Sequence, residues 1–345
     1  MLPVLADSVR LADDGVHILD RRDYPFSREW VRCRTVEEVA AAIEEMVTQS
    51  SGPYFATLWA MVLAAREAAA VDPAAARTEL DRAGARLMAT RRTNNHLRKA
   101  VHAVLCAVDS VGSVTGDELV AAALAGARAG DERYRARSRA LGEYTAELLP
   151  ERGSVLTHCW ADLYLVEVVL AAQRTGKRLA FVCTETRPYL QGARLTADTL
   201  AELGVDTTLI TDGMGAAILA SGDVHTLITA GDRVTMDGHV VNKVGTLGLA
   251  IAAHTFDVPF HAMVQAPDRQ APTAADVPFE DRPGDEVLHT LGRRTASDRV
   301  RGRYLAFDIT PPRFVTSVVT DRGAFHPEKL ADYYADDHAG EEQDQ

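Results

Sequence analysis

Between Thr35 and Leu149 apolar positions recur at helical spacing, as in Val36-Glu37-Glu38-Val39-Ala40-Ala41-Ala42-Ile43 and Leu119-Val120-Ala121-Ala122-Ala123-Leu124. Residues repeating on this period share one face, and the Ala, Leu, Arg and Glu that dominate here lose little freedom in a helix, so packed helices are predicted. Asp72-Pro73 and Thr115-Gly116-Asp117-Glu118 read as helix starts, where a missing proline N–H and early acidic side chains are both favourable. Up to Arg34 the β-branched and charged residues are scattered around Tyr24-Pro25, which predicts an irregular or short-stranded lead-in.

Beyond Pro150 the rhythm changes. Short apolar runs, Ser154 to Thr157, Leu179 to Cys183, Thr207 to Ile210, Thr226 to Ile228 and Pro259 to Val264, alternate with helical segments. Strand and helix repeating at roughly 25-residue intervals predict βαβ units and a mostly parallel sheet. The expected fold is α/β: a mainly helical N-terminal domain over 1–149, a Rossmann-like catalytic domain over 150–335, and a disordered acidic tail over 336–345. In such sheets ligands bind beyond the carboxyl ends of the strands.

Composition narrows the function. The 345 residues suffice for two domains, and 37 basic against 49 acidic residues give a net charge of −12, spread along the chain. That balance disfavours nucleic acid as a partner. The N-terminus carries no basic segment followed by an apolar one, and no run approaches the ~18 apolar residues of a membrane span, so a soluble cytoplasmic protein is expected. Cys33, Cys106, Cys159 and Cys183 occur singly, which indicates neither a disulfide framework nor a metal site.

Candidate chemistry gathers at the expected strand ends. Cys159 follows Val155-Leu156-Thr157-His158 and precedes an apolar helical run, a position expected to favour thiolate. His158 beside it reads more readily as structural. Asp232, after Leu227-Ile228-Thr229-Ala230-Gly231, supplies a carboxylate that could complete an acid/base pair. Its neighbour Arg233 could serve that carboxylate, a substrate or a structural ion pair. Asn242-Lys243-Val244-Gly245-Thr246 reads as a helix opening with free N–H groups and a lysine charge, which suits phosphate. Arg187 and Arg194, with Pro188 and Gln191-Gly192 in the stretch Glu185 to Thr196, could grip a phosphate. The chain has neither G-x-x-x-x-G-K-[ST] nor a strand followed by G-x-G-x-x-G, so no nucleotide cofactor is expected.

Thr157-His158-Cys159, Glu185-Thr186-Arg187-Pro188-Tyr189-Leu190-Gln191-Gly192-Ala193-Arg194, Gly231-Asp232-Arg233 and Asn242-Lys243-Val244-Gly245-Thr246 together resemble the 5-methylthioribose-1-phosphate isomerase family. Its relatives are ribose-1,5-bisphosphate isomerases and regulatory subunits of the translation-initiation guanine-nucleotide exchange factor. The resemblance implies cofactor-independent isomerisation of a ribose 1-phosphate to the ketose, with Cys159 and Asp232 as the catalytic pair, Asp232 helping to open the ring. It implies phosphate binding by Arg91, Gln191, Asn242, Lys243 and Gly245, and a homodimer. Ser50, in Ser50-Ser51-Gly52-Pro53, stands where the family carries an arginine, and Arg92 replaces a proline. The segment Val264 to Arg269 also departs from the family pattern. The substrate shell around Ser50 and Arg92 is therefore expected to differ, with Arg91 or Arg92 taking over part of the phosphate binding of the missing arginine. A non-catalytic sensing or assembly protein is the alternative, and retention of both Cys159 and Asp232 favours an enzyme.

Overall fold

The computed structural model describes residues 2–69, 73–91, 95–112, 116–277 and 281–335. The chain divides into two compact units, Met1–Ala136 and Arg137–Gln345. The expected tail over 336–345, together with Asp72, Arg92 and Thr115, lies outside the described residues.

The first unit opens with an antiparallel sheet, β1 (Val9–Ala12), β2 (Gly15–Leu19) and β3 (Trp30–Cys33), in the lead-in expected to be short-stranded. Gly15 is required between β1 and β2: its φ is 141°, and a Cβ there would stand 2.3 Å from the Cys33 carbonyl oxygen. The helices follow as α1 (Val36–Glu44), α2 (Gly52–Ala69), α3 (Pro73–Ala89), α4 (Asn95–Ser110) and α5 (Gly116–Leu148). The Thr35 hydroxyl caps α1 by accepting the Glu38 N–H at 3.2 Å. Helix α2 is apolar on nearly every side and almost wholly buried, so α1, α3 and α4 pack against it. Pro73 stands at the first position of α3, and Asp117 and Glu118 fall in the first turn of α5. Helix α5 continues into the second unit, whose division from the first falls ahead of residue 150.

In the second unit the chain runs β4 (Arg152–Thr157), α6 (Leu163–Arg174), β5 (Arg178–Thr184), α7 (Ala197–Glu202) and β6 (Asp206–Ile210). It continues through α8 (Gly215–Ala220), β7 (Thr226–Ala230), β8 (Arg233–Val234), β9 (Val240–Lys243), α9 (Thr246–Thr255) and β10 (Phe260–Met263). All five apolar runs read from the sequence are strands of one seven-stranded sheet. Its order is Gly323–Phe325, Ser317–Thr320, β10, β7, β4, β5, β6, and only the edge strand Gly323–Phe325 pairs antiparallel. Strands β7 and β10 are buried almost throughout, as expected where both faces of a parallel sheet are covered. Leu156, Leu227, Leu249, Phe260 and Val318 belong to the core that fills one side.

The winding reverses once. From β4 the chain builds outward through β5 and β6, then returns to add β7 on the other side of β4. The crevice beyond the carboxyl ends of β4 and β7 is therefore the topological switch point, the default ligand position in such a sheet. Beside it β8, β9 and the strand Phe307–Thr310 form a small antiparallel sheet, with Lys243 opposite Phe307 and Asn242 opposite Asp308. Asn242 and Lys243 thus end a strand rather than open a helix, and α9 begins only at Thr246. Val-Val-Asn-Lys in β9 carries β-branched residues that suit an extended strand, which the helix reading overlooked. Among the described residues no helix is long and apolar enough to cross a membrane.

Candidate active site

Cys159 stands two residues past the end of β4 and Asp232 two residues past the end of β7. These strands are parallel neighbours with Thr157 opposite Ile228, so both residues leave the sheet at the switch crevice. Asp232 is exposed. Cys159 is partly exposed, yet burial of its thiol pushes it up to about 11. The positive charge of Lys243 and the Trp160 N–H oppose that rise, while the Asp232 and Asp212 carboxylates add to it. The expectation of a thiolate is corrected here. Helix α6 begins at Leu163, beyond Asp162, and at the thiol desolvation outweighs the nearby cation.

The backbone of Cys159 is left-handed, with φ 64°. Its N–H donates to Thr186 Oγ1 at 3.0 Å, and its carbonyl accepts from the Thr196 hydroxyl. His158 is buried, its Nδ1 at 2.5 Å from Thr184 Oγ1 and its Nε2 at 3.0 Å from the Val244 carbonyl. A carbonyl only accepts, so Nε2 carries the proton and Nδ1 accepts from the threonine; burial lowers the pKa and holds the ring neutral. His158 is thus a brace between β4 and the end of β9. Gly245 allows it: a Cβ at that position, where φ is 112°, would stand 2.9 Å from His158 Cε1.

Lys243 is buried, its Nζ 4.4 Å from the Phe307 ring centre and 5.8 Å from that of Tyr304. Among the described residues no carboxylate pairs with it. Asn242 Nδ2 donates to Thr246 Oγ1 at 3.0 Å, and that hydroxyl donates to the Lys243 carbonyl at 2.7 Å. The N–H groups expected to be free for phosphate are in part engaged. The Asp308 carboxylate accepts from Gly245 at 2.7 Å and from Leu247 at 3.1 Å, so Gly245 offers no free donor. Burial pushes Asp308 up to about 6 despite those two bonds and Lys243.

Arg187 is likewise corrected. Its guanidinium donates to the carbonyls of Pro188, His289 and Val287, each at 2.9 Å, and pins that loop instead of standing open to a phosphate. Arg194 donates to the Tyr189 carbonyl at 3.4 Å and lies over the Tyr189 ring. Arg233 pairs with Asp268 at 3.1 Å, the structural role among those its sequence left open. Gln191 is buried at the start of the Gly192–Thr196 turn, with no hydrogen-bond partner for its Oε1 among the described residues. Asp212 escaped the sequence reading. It accepts the N–H groups of Thr186 and Arg187, each at 2.7 Å, and its place just past β6 is the signal that could have found it.

In the first unit Ser50 is exposed and left-handed, with φ 57°, immediately ahead of Ser51 and helix α2. Arg91 donates to the Ile43 carbonyl at 3.2 Å and reaches the Met46 sulfur. Arg92, expected to share its role, lies outside the described residues.

Comparison with known proteins places these features in context. The model of the initiation factor 2 subunit family matches residues 41–327. The methylthioribose-1-phosphate isomerase of Chloroflexus aurantiacus is 38% identical over 92% of this chain and 95% of its own, and that of Anaeromyxobacter dehalogenans is 36% identical over 93% of each. The crystal structure of 5-methylthioribose 1-phosphate isomerase from Pyrococcus horikoshii superimposes with a TM-score of 0.84 at 31% identity over 93% of each chain. That of the translation initiation factor eIF-2B, subunit delta, from A. fulgidus gives 0.82 at 33% identity, over 93% of this chain and 96% of that one.

Proposed function

This chain belongs to the initiation factor 2 subunit family, and from that premise we propose that it is a sugar-phosphate isomerase converting a 5-substituted ribose 1-phosphate to the ribulose 1-phosphate. The observation that carries the reading is the pair Cys159 and Asp232 at the switch crevice, close enough that the carboxylate acts on the thiol.

The chemistry asks for two proton movements. One group protonates the ring oxygen as its bond to C1 breaks; the other takes the C2 hydroxyl proton as hydrogen passes from C2 to C1 and the C2 carbonyl forms. A thiol held neutral is suited to donate and cannot abstract a carbon-bound proton, which supports Cys159 as the acid, Asp232 as the base and a hydride shift between the carbons. Ring opening then falls to Cys159, the reverse of the role expected for Asp232 from the resemblance.

Lys243 supports binding of the phosphate, because a buried ammonium without a carboxylate partner is stabilised by an incoming anion. The open Oε1 of Gln191 suits a sugar hydroxyl. Asn242 would brace the strand end that presents Lys243. We propose in addition that the enzyme acts in the cytoplasm, without added cofactor, as a homodimer.

The test is a panel of ribose 1-phosphates with 5-methylthio, 5-deoxy, 5-hydroxy and 5-phosphate groups, assayed for ketose. Conversion of at least one is expected. Conversion of none would overturn the isomerase reading in favour of a non-catalytic assembly protein, for which the likeness to the A. fulgidus factor speaks.

A further inference from the structure

We propose that Thr186 and Thr196 are positioning residues that clamp Cys159 from both sides for the reaction, with Asp212 holding Thr186 in place; this deepens the reading of Cys159 as a catalytic residue and rests on it. A side chain bearing Cβ is disfavoured in the left-handed region, so Cys159 at φ 64° stays there only because its surroundings fix it. Two threonines fix it. Thr186 Oγ1 takes the N–H of Cys159, and the Thr196 hydroxyl is given to its carbonyl. Both threonines are fully buried, so neither bond competes with water.

Rotation about either side of the Cys159 Cα would break one of these bonds, so they set the direction of the Cα–Cβ bond that carries Sγ. Thr186 is itself left-handed, at φ 62°, and the turn it forms with Arg187 is held by both oxygens of Asp212. The Glu185-Thr186-Arg187-Pro188 string thus acquires a purpose that phosphate binding did not supply. Its threonine serves the nucleus of the site, and its arginine ties down the loop that carries it.

Thr186→Val keeps the shape and removes the acceptor, Thr186→Ser keeps the acceptor, and Thr196→Val removes the donor on the other side. Turnover of 5-methylthioribose 1-phosphate is measured together with iodoacetamide labelling of Cys159, read by peptide mass spectrometry, with fully buried Cys183 as the internal reference. Both valine variants are expected to lose ~10-fold or more in kcat with KM little changed, since small misplacements of a reacting group are costly. Cys159 should label faster in them while Cys183 stays protected, and Thr186→Ser should behave as the parent. Parent-like Cys159 labelling or kcat in Thr186→Val overturns the proposal, as does labelling that rises equally at Cys183, which would indicate general loosening. If Thr186→Val does not fold, Thr196→Val decides by the same criteria. A parent that converts no sugar phosphate would refute the isomerase reading alone, and the labelling would still decide the clamp.

Discussion

The Asp308 carboxylate accepts the Gly245 backbone N–H at 2.7 Å and so closes the start of α9 from the strand that pairs with β9. Asp308→Ala leaves that N–H and the one of Leu247 without their acceptor and is expected to lower stability by about 1–2 kcal/mol in urea unfolding. The loss should be larger at acidic than at neutral pH. Burial holds the folded pKa at about 6, above the ordinary 3.8, so the fold binds this proton more tightly than the unfolded chain. The contribution of Asp308 is then fully present below the lower value and declines as pH rises through the upper one. No loss, or a loss that grows towards neutral pH, contradicts this account of the cap.

Substrate carrying deuterium at C2 should give ketose with the label retained at C1, because a neutral Cys159 thiol does not take that hydrogen as a proton. Mass spectrometry of the product in ordinary water reads the outcome. Extensive exchange with solvent would point to an enolate intermediate and to a thiolate in the bound state.

Cys159 should also be slow to alkylate in the free protein. With the thiol at about 11, thiolate at pH 8 amounts to about one molecule in a thousand. Exposed Cys106 is therefore expected to label first with iodoacetamide. Preferential labelling of Cys159 at neutral pH would restore the thiolate expected from its position alone.

Arg187→Ala should be a stability variant. Three carbonyls lose their charged donor, for an expected loss of about 2 kcal/mol or more, while KM for the sugar phosphate changes little. A KM raised by ~10-fold or more with thermal unfolding unchanged would return Arg187 to the phosphate.

The sheet was legible because each buried parallel strand is a short apolar run between helical segments; the runs around Val155, Phe181, Leu209, Leu227 and Ala262 identify it. Strand ends then located Cys159 and Asp232 with no contact information. Side-chain partners were not legible. Whether Arg187 faces a phosphate or three carbonyls depends on residues 100 and 102 positions away, Val287 and His289. The same holds for Gly245 and Asp308, 63 positions apart. Local spacing cannot report such pairings. The thiol of Cys159 misled for a related reason: its sequence announces a nearby helix, whereas desolvation is set by everything packed around it.

The most direct test is the rate of ketose formation from 5-methylthioribose 1-phosphate by Cys159→Ser and Asp232→Asn, compared with the parent and with thermal unfolding of each. The account predicts that each variant loses ~10²-fold or more in kcat, the scale for removing a positioned acid or base, with unfolding nearly unchanged. Substantial turnover by either variant would contradict the assignment of Cys159 and Asp232 as the pair that moves the protons.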